Sequence, residues 1–312
     1  MAAPAPTPFD DRDGWIWFDG EMVPWRDARV HVLTPSLHYG WGVFEGIRAY
    51  ETDAGPAVFR LTDHMKRLYR SAKIYHMEPP VSLEGAVKVT KDLVAMNELP
   101  ACYIRPLIFL GYGEIGLNPL TSPVSMVIAC WPWGAYLGED AFEAGVRAKV
   151  SSWRRLDPNI IPPAAKATGQ YINSSLAKAE AVKAGYDEGI LLNPNGYVTD
   201  GSGENVFIVR DGVLHTPPLA AGCLAGLTRN SIITIAEGEG IEVRQNDLVR
   251  TDLYLADEAF FTGTAAEVVP IREVDDRVLG DPGPITRRLQ EVFTAATRGR
   301  DERYRDWVEP VA

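Results

Sequence analysis

Lys166 lies in the part of this chain where the residue types most clearly suggest chemistry. It belongs to residues 162–169, PPAAKATG, where its neighbours are small or apolar and carry no other charge. Such surroundings predict a buried lysine, and burial lowers the pKa of an ammonium group so that a free amine is available. A free amine can attack a carbonyl carbon and form a Schiff base. A single lysine is more often structural, so this interpretation depends on the segments that follow it.

Three later segments suit one small, anionic, heteroaromatic ligand. Residues 198–205, VTDGSGEN, place Asp200 and Glu204 in a glycine-rich turn, and a carboxylate that faces a ring nitrogen keeps that nitrogen protonated. Residues 226–228, GLT, open a predicted helix, whose free N–H groups and dipole attract phosphate. Residues 262–266, TGTAA, follow a predicted strand and offer amides and hydroxyls to an anion. Each segment alone is an ordinary turn or cap, but together with the lysine they favour a cofactor site.

A dinucleotide site is not favoured. Residues 111–116, GYGEIG, match the glycine pattern of a dinucleotide-binding turn and follow a strand. That motif needs a helix next, because the helix N-terminus holds the pyrophosphate. Pro119 and Pro123 come too soon for such a helix, so we predict a plain glycine-rich turn.

The histidines suggest neither a metal site nor a hydrolase. The chain has no HxxxH pair and no GxSxG motif, which are typical of helical zinc sites and of α/β-hydrolases. We expect no bound metal and predict structural roles for His31, His38, His64, His76 and His215.

Composition sets the broad class of protein. The 312 residues, 46% of them hydrophobic, predict a globular protein of one or two domains. A formal net charge of -11 argues against a nucleic-acid partner, because a phosphate backbone needs a basic face. Three sparse cysteines suit a reducing cytoplasm. With neither a signal peptide nor an apolar run of roughly 20 residues, we expect a soluble cytoplasmic protein with no membrane partner.

Hydrophobic periodicity and turn residues predict mixed α/β structure throughout. The elements predicted in the first half are a hairpin over residues 15–25 turning at Asp19-Gly20, a helix capped by Thr62 or Asp63, a helix from Ser82 to Asn97, and strands over residues 102–110 and 125–133. Those predicted in the second half are a strand over residues 147–153, a helix over 172–184, hairpins turning at Asn195-Gly196 and Asp211-Gly212, and helices over 228–237 and 284–297.

An acidic, glycine-containing stretch interrupts the strand pattern near the middle of the chain. We therefore predict a smaller N-terminal α/β domain over residues 1–137, a linker over 138–145 and a larger C-terminal domain over 146–312.

Segments from Trp15 to about Thr297 resemble the branched-chain amino acid aminotransferases of the fold-type-IV pyridoxal-phosphate family. These segments are HYGWGVFEGIRAY, HMKRLYRSAKIY, YIRPLIFLGYGEIGLNP, WPWGAYLG, PPAAKATGQYINS, DGSGENVF, GLTRNSI and LYLADEAFFTGTAAEVVP. The resemblance implies a two-domain α/β (α+β) fold, a C-terminal domain that binds pyridoxal 5'-phosphate, and an active site between the domains. It also implies a homodimer or a higher homo-oligomer.

The resemblance assigns cofactor roles by matching position. Lys166 is implied to bond to the cofactor aldehyde and, when released, to act as the catalytic base. Tyr171 is implied to hydrogen-bond the ring hydroxyl oxygen. The remaining implied contacts are Arg67, Leu227, Thr228 and Thr264 at the phosphate and Leu224 at the ring face. The residue at the pyridine nitrogen is usually Glu in the family, but here it is Asp200, one methylene shorter, with Glu204 as a neighbour that can assist.

The resemblance also implies one pocket for two kinds of side chain. Arg105 and Tyr103 are implied to meet the γ-carboxylate of glutamate, with help from Arg48. In an ordinary strand, an arginine at this place would equally be a surface residue. The other implied substrate contacts are Phe44, Trp133 and Tyr136 in the pocket, Tyr39 and Leu117 from a partner subunit, and the amides of Thr264 and Ala265 at the substrate carboxylate.

The function implied is ping-pong transamination, through pyridoxamine phosphate, between leucine, isoleucine or valine and 2-oxoglutarate. D-amino acid aminotransferases, (R)-amine transaminases and aminodeoxychorismate lyases would share Lys166 and the phosphate site. The YIRP and WPWGAYLG segments favour the branched-chain enzyme. A catalytically silent binding protein on the same fold is a further alternative, against which Lys166, Arg67 and Tyr171 all argue.

Overall fold

The computed structural model describes residues 8–133 and 139–311, without the side chains of residues 139 and 140. The chain divides into two compact units. One consists of Met1–Pro132, Ala167–Gly169 and Glu309–Ala312, and the other of Trp133–Lys166 and Gln170–Val308.

The first unit is built on one sheet. Its strands are β1 (Trp15–Phe18), β2 (Glu21–Pro24), β3 (Gly42–Phe44), β4 (Ile47–Thr52), β5 (Gly55–Phe59), β6 (Cys102–Leu110) and β7 (Val124–Trp131). Its helices are α1 (Pro35–Tyr39), α2 (Leu61–Ile74) and α3 (Leu83–Met96). The strands lie in the order β5-β4-β6-β7-β1-β2, and β3 pairs with β6. Strand β6 therefore lies at the centre of the sheet, with β3, β4 and β7 as antiparallel partners.

The core of the first unit lies between this sheet and the helices. Met65, Leu68 and Ala72 of α2 are fully buried, as the spacing of apolar residues along a helix requires. They pack with residues of β6 and β7 such as Ile104 and Ile128. The central strand is thus held by apolar contacts on the side that faces the helices.

The second unit also has one main sheet. Its strands are β8 (Val146–Arg154), β9 (Glu188–Leu192), β10 (Val198–Gly201), β11 (Asn205–Arg210), β12 (Val213–Thr216), β13 (Val243–Gln245), β14 (Glu258–Gly263), β15 (Glu267–Val274) and β16 (Arg277–Val278). Its helices are α4 (Glu139–Ala144), α5 (Tyr171–Lys183), α6 (Leu227–Gly238), α7 (Arg250–Tyr254) and α8 (Pro284–Thr297). The last strand, β17 (Val308–Pro310), joins the first sheet beside β5.

Strand order in the second sheet is β10-β9-β8-β15-β14-β11-β12-β13, and β16 pairs with β15. Strand β8 is parallel to both β9 and β15, and β12 is parallel to β13. Parallel neighbours need a long connection, which α5 supplies between β8 and β9 and α6 supplies between β12 and β13. The sheet therefore mixes hairpins with helical crossovers.

Most locally encoded elements form where the sequence predicts them. Asp19 and Gly20 both have positive φ angles, 47° and 104°, as the predicted hairpin turn requires. Ser82 caps α3 by accepting a hydrogen bond from the Gly85 amide at 3.1 Å. A short 3-10 turn, Pro119–Thr121, follows the GYGEIG segment in place of the helix that a dinucleotide site needs.

The predicted cap of α2 is wrong. The helix begins at Leu61, and its N-cap is Arg60 in the left-handed conformation, with φ 52° and no capping side-chain bond. The amide and hydroxyl of Thr62 donate instead to the carboxylate of Glu309, at 2.7 and 2.8 Å. A residue 247 positions away thus supplies the acceptor that a local cap would have supplied.

The predicted domain boundaries stay a prediction. Gly138, where the predicted linker begins, lies outside the described residues, as do residues 134–137 of the predicted first domain. The following residues form α4. Within residues 8–133 and 139–311, no helix has both the length and the apolar character that a membrane crossing demands.

Candidate active site

Lys166 lies in the loop that leads from β8 to α5. Its Nζ donates a hydrogen bond to the hydroxyl oxygen of Tyr171, the first residue of α5, at 2.6 Å. Its chain neighbours Ala165 and Ala167 are buried, whereas Lys166 itself is half-buried. The lysine is therefore less enclosed than the sequence predicts, and the phenol hydroxyl is the polar group that defines its surroundings.

Hydrogen bonds fix the chain on both sides of Lys166. On one side, the buried amide of Gln170 donates to the carbonyl of Ala165 at 2.7 Å. On the other, within the first unit, the hydroxyl of Thr168 donates to the carbonyl of Gly40 at 2.8 Å. A Cβ at Gly40 would come within 2.9 Å of the Cα of Gly169, so this approach requires glycine. The loop that carries the lysine is thus held in a defined conformation.

A cleft in the second unit brings together four residues that were predicted to bind a cofactor: Tyr171, Asp200, Glu204 and Leu224. Strand β10 and the turn after it supply both carboxylates, and α5 supplies the tyrosine. The full lining is Arg155, Gln170, Tyr171, Asp200, Gly201, Ser202, Gly203, Glu204, Asn205 and Leu224. Chemically, the cleft combines a phenol, two buried carboxylates and an apolar wall.

Asp200 is buried and has a cationic partner. Its Oδ2 lies 3.3 Å from Nη2 of Arg155, and its Oδ1 accepts a hydrogen bond from the hydroxyl of Thr199 at 2.8 Å. Burial raises the pKa of Asp200, while Arg155, Thr199 and the backbone amide of Leu224 act in the opposite direction. The chain therefore offsets part of the cost of removing this carboxylate from water.

Glu204 has a different environment. Its Oε2 accepts a hydrogen bond from the amide of Gly203 at 3.1 Å. Burial and the nearby carboxylate of Glu188 raise the pKa of Glu204. Glu188 in turn pairs with Nζ of Lys178 at 2.7 Å, so the neighbouring cation serves Glu188 directly. A raised pKa means that Glu204 holds its proton more readily than a solvated glutamate, and Glu188 adds to the effect of burial, whereas Arg155 opposes it at Asp200.

Asn205 connects the two segments that were predicted to bind phosphate. Its Nδ2 donates to the carbonyl of Leu224 at 3.0 Å, two residues before Gly226, the N-cap of α6. A Cβ at Gly226 would lie 2.0 Å from Oδ1 of Asn205, so any larger residue here would displace the Asn205 amide. In the sheet, Asn205 faces Thr262 of β14, the strand that ends in the TGTAA turn. Leu227 and Thr228 open α6, and Thr264 and Ala265 lie half-buried in that turn.

Arg67, in α2, is held by a carboxylate that the sequence analysis did not identify. Its Nε and Nη2 donate to the two oxygens of Glu45 at 2.6 and 2.7 Å. The ring Nδ1 of His64 lies 2.8 Å from Oε2 of the same carboxylate. Burial alone would raise the pKa of Glu45, but the charge of Arg67 and the hydrogen bonds from His64 and Arg67 hold it well below its usual range.

Phe44, Tyr103 and Arg105 form one cluster in the first unit. Nη2 of Arg105 donates to the hydroxyl of Tyr103 at 2.9 Å, and its guanidinium carbon lies 4.7 Å from the centre of the Phe44 ring. Nε of Arg105 is buried and has no hydrogen-bond partner among the described residues. Arg105 is half-buried, which favours the role in the pocket over the alternative of a surface arginine. Arg48 faces Tyr103 across the β4–β6 pair.

Two of the remaining predicted substrate contacts, Tyr39 and Leu117, are not part of the cluster that Phe44, Tyr103 and Arg105 form. Tyr39 is 43% exposed and Leu117 is 86% exposed. Trp133 is half-buried at the edge of the described chain. Tyr136 lies outside the described residues.

The sequence analysis also missed Arg155. In the sequence, Arg154 and Arg155 form an ordinary basic pair, and only Arg155 is buried against a carboxylate. Glu45 offered a clearer indication, because it is the one charged residue in the apolar run GVFEGI. A charge inside an apolar strand region must be paired, and that argument would have identified it.

The side-chain set fits pyridoxal 5'-phosphate. A lysine amine in contact with a tyrosine hydroxyl suits the aldehyde and the ring hydroxyl, and a buried carboxylate in the adjacent cleft suits the ring nitrogen. The N-cap of the 12-residue helix α6 is a glycine with no capping side chain, which suits a phosphate.

Most of the chain matches one family of known proteins. Residues 42–274 match the family model described as amino-transferase class IV. Branched-chain-amino-acid aminotransferases from Pseudomonas aeruginosa and Escherichia coli K12 are each 49% identical to this chain, covering 95% of it and 97% of their own length. The chain belongs to the class IV aminotransferases.

Solved structures agree with this aminotransferase assignment. The crystal structure of the E. coli branched-chain amino acid aminotransferase has a TM-score of 0.94 at 49% identity, covering 96% of this chain and 100% of that one. The T.th. enzyme of the same name, solved with pyridoxamine 5'-phosphate, has a TM-score of 0.93 at 48% identity, covering 96% and 99%. The resemblance to branched-chain aminotransferases and the predicted fold-type-IV α/β architecture are confirmed.

The environment of Glu204 raises its pKa, and the environment of Glu180 lowers its pKa. The two residues therefore give a prediction with opposite signs for this aminotransferase. A raised pKa means that the folded state binds the proton more tightly than the unfolded state. Stability conferred by Glu204 is therefore lost as pH rises from its ordinary value of 4.5 towards the raised one. Glu204→Gln keeps the shape of the protonated acid, so its free energy of unfolding relative to the parent should improve as pH rises from about 5 to about 9.

Glu180 provides the control with the opposite sign. Its hydrogen bonds to Ser151 and Ser152 lower its pKa despite the opposing effect of burial. Glu180→Gln should therefore be less stable than the parent near neutral pH, and the deficit should shrink as pH falls below about 4. Urea unfolding across the pH range measures both. A Glu204→Gln difference that is flat with pH would contradict the assignment of Glu204.

Proposed function

We propose that this chain transfers amino groups between branched-chain L-amino acids and 2-oxoglutarate, with pyridoxal 5'-phosphate bound at Lys166. The products are the branched 2-oxoacids of leucine, isoleucine or valine, and L-glutamate. The observation that carries the proposal is the 2.6 Å contact between Lys166 Nζ and Tyr171 Oη beside the Asp200 cleft. It occurs in a chain that is 49% identical to branched-chain aminotransferases over nearly their whole length.

Lys166 binds the cofactor aldehyde and later acts as the general base. Bound pyridoxal phosphate supplies an electron-poor ring that stabilises negative charge at the substrate α-carbon. With the cofactor in place, Nζ of Lys166 would hold it through its aldehyde and, once released, would be the group that takes the proton from the α-carbon of the amino acid. Tyr171 accepts a hydrogen bond from Nζ, and its hydroxyl is thereby oriented for the ring oxygen beside the aldehyde.

Asp200 is the carboxylate for the pyridine nitrogen. It is shorter than the glutamate usual in the family, and its place in the cleft with Tyr171 and Leu224 supports the assignment despite the lost methylene. The ion pair with Arg155 favours the charged form of Asp200, whereas the raised pKa of Glu204 disfavours its charged form. Glu204 therefore contributes as a buried neighbour of Asp200.

The phosphate is held by backbone and side-chain donors. The amide at the start of α6 and the guanidinium of Arg67 are the principal groups, as a dianion at a helix N-terminus favours. Leu224, which lines the cleft, would contact the ring face. The other proposed contacts at the phosphate are Leu227, Thr228 and Thr264.

The proposed pocket for the substrate side chain has an apolar surface and a nearby cation, Arg105. Phe44 offers a ring to the branched side chains, while Arg105, oriented by Tyr103, pairs with the γ-carboxylate of glutamate. The buried Nε of Arg105 supports this role, because a donor left without a protein partner is available to a ligand. The further proposed contacts are Arg48, Trp133 and Tyr136, with the amides of Thr264 and Ala265 at the α-carboxylate.

The active unit is a homodimer. Tyr39 and Leu117 are exposed with other large apolar side chains of the same two segments, Val32, Leu37 and Leu120. An exposed apolar group of this kind favours coverage by another protein surface. A second copy of the chain would cover it and would bring Tyr39 and Leu117 to its own substrate pocket. All three cysteines are buried and form no disulfide with one another, which is consistent with a cytoplasmic location.

A substrate panel tests the reaction. Purified enzyme carrying the cofactor is mixed with L-leucine, D-alanine, (R)-phenylethylamine or aminodeoxychorismate, and the visible absorption of the cofactor is followed. L-Leucine should bleach the chromophore, and 4-methyl-2-oxopentanoate should restore it. Bleaching by D-alanine or (R)-phenylethylamine in preference to L-leucine would assign the chain to another group of the family.

Replacement of Lys166 tests the site. Lys166→Ala should abolish the covalent link to the cofactor and reduce turnover by several orders of magnitude, because both the bond and the base are lost. Borohydride reduction followed by peptide mapping should mark Lys166 in the parent protein and nothing in the variant. The control is Lys183→Ala, at the end of α5. In this variant, as in the parent protein, the reduction should mark Lys166. A mark on another side chain would disprove the assignment.

Replacement of Arg105 tests how one pocket accepts two substrates. Arg105→Ala should lower kcat/KM for glutamate by about a hundredfold, because a buried charge pair with the γ-carboxylate is lost. The value for leucine should change by less than about fivefold. Arg70→Ala, an exposed arginine of α2, is the control. Equal losses for both substrates would refute the dual role of Arg105.

A further inference from the structure

Glu45 is a completely buried carboxylate in the short connection between β3 and β4. Both of its oxygens are used: Oε1 accepts from Nε of Arg67 at 2.6 Å, and Oε2 accepts from Nη2 of Arg67 at 2.7 Å. Nδ1 of His64, also buried, lies 2.8 Å from Oε2. The two-point contact fixes the plane of the guanidinium as well as its position.

This arrangement is costly if its purpose is stability alone. Moving a carboxylate and a guanidinium out of water costs several kcal/mol for each ion, and apolar side chains of similar volume usually stabilise a fold as well or better. The nearby core of α2 and β6 is apolar, so apolar residues in place of both Glu45 and Arg67 would suit it. The buried charge of Glu45 therefore needs another explanation, and the geometry that Glu45 imposes on Arg67 offers one.

The charges show that Glu45 does not strengthen the attraction of Arg67 for an anion. Burial lowers the pKa of His64, which is therefore neutral near pH 7 and donates a hydrogen bond without adding charge. Glu45 and Arg67 then cancel, and the three side chains together carry no net charge. Glu45 weakens the electrostatic pull of Arg67 on a phosphate, so any benefit must come from orientation.

The backbone of Glu45 is fixed by the strand that carries the proposed substrate residues. Its amide donates to the carbonyl of Pro106 in β6 at 3.0 Å. A Cβ at the next residue, Gly46, would lie 2.2 Å from the hydroxyl oxygen of Tyr103, so only glycine permits this approach. Tyr103 in turn accepts from Arg105. Glu45 thus joins Arg67 rigidly to the Tyr103–Arg105 pair.

We propose that Glu45, supported by neutral His64, is a positioning residue that orients Arg67 for the phosphate of the cofactor. The inference rests on the proposed function, in which Arg67 binds that phosphate. Orientation lowers the entropy lost when the phosphate binds, and it outweighs the negative charge that Glu45 adds nearby.

A comparison of two ligands isolates the phosphate contact. Apo-protein is titrated with pyridoxal 5'-phosphate and with pyridoxal, which lacks the phosphate, and the ratio of the two affinities is measured. Glu45→Gln should weaken pyridoxal phosphate binding by roughly tenfold to a hundredfold, as loss of a supporting partner typically does. Pyridoxal binding should change by less than about twofold.

The possible outcomes have distinct meanings. Tighter binding of pyridoxal phosphate by Glu45→Gln would show that Glu45 acts only as a negative charge, and equal weakening of both ligands would show a purely structural role. Either result overturns the proposal. His64→Gln, which leaves the Glu45–Arg67 pair intact, should give a smaller loss in the same ratio, and it keeps the test decisive if Glu45→Gln does not fold. An unchanged ratio in a folded variant also overturns the proposal.

Two controls separate this inference from the proposed function. Arg67→Ala must lower the affinity ratio, and if it does not, the assignment of Arg67 to the phosphate fails together with the inference. If Arg67→Ala lowers the ratio while Glu45→Gln does not, only the inference fails. Glu258→Gln removes a buried carboxylate elsewhere, one that accepts from the amide and hydroxyl of Thr286, and should leave the ratio unchanged.

Discussion

A carboxylate removed from water must be paired with a cation or with hydrogen-bond donors, and this constraint shapes both units of the protein. Asp200 is paired with Arg155 in the second unit, and Glu45 is paired with Arg67 in the first. Arg155 also donates to the hydroxyl of Ser174, and Arg67 is held by two hydrogen bonds to Glu45. The consequence is that the charged groups proposed to meet the cofactor have defined positions before it binds.

Glycines permit the close approaches on which these positions depend. Gly226 lies against the Asn205 amide, and Gly46 lies against the Tyr103 hydroxyl, so closely that a Cβ at either position would displace that polar group. At each glycine a polar side chain packs directly against the backbone, so the glycine backbone and the polar side chain hold each other in place. Strand β6 is central to these contacts. It carries Tyr103 and Arg105, and the carbonyl of its Pro106 accepts a hydrogen bond from the amide of Glu45. Larger residues at these glycines would move the side chains that the proposed chemistry uses.

The neighbouring charges of Asp200 and Glu204 distinguish their proposed roles. Asp200 and Glu204 lie four residues apart in one cleft, and by residue type they are interchangeable. Arg155 favours the charged form of Asp200, while Glu188 disfavours the charged form of Glu204. Two carboxylates in one cleft can thus differ in how readily they ionise, because the neighbours of each acid influence its pKa.

The sequence by itself determined Lys166, the hairpin at Asp19-Gly20 and helix α3 from its Ser82 cap, because turns, caps and periodicity depend on neighbours in the chain. Its motifs also identified the family. Only the tertiary structure decided that α2 begins at Leu61 against Glu309, that Arg155 pairs with Asp200 and that Glu45 holds Arg67. These contacts join residues far apart in the chain, and their energy depends on burial and on which strands become neighbours, which no local pattern encodes.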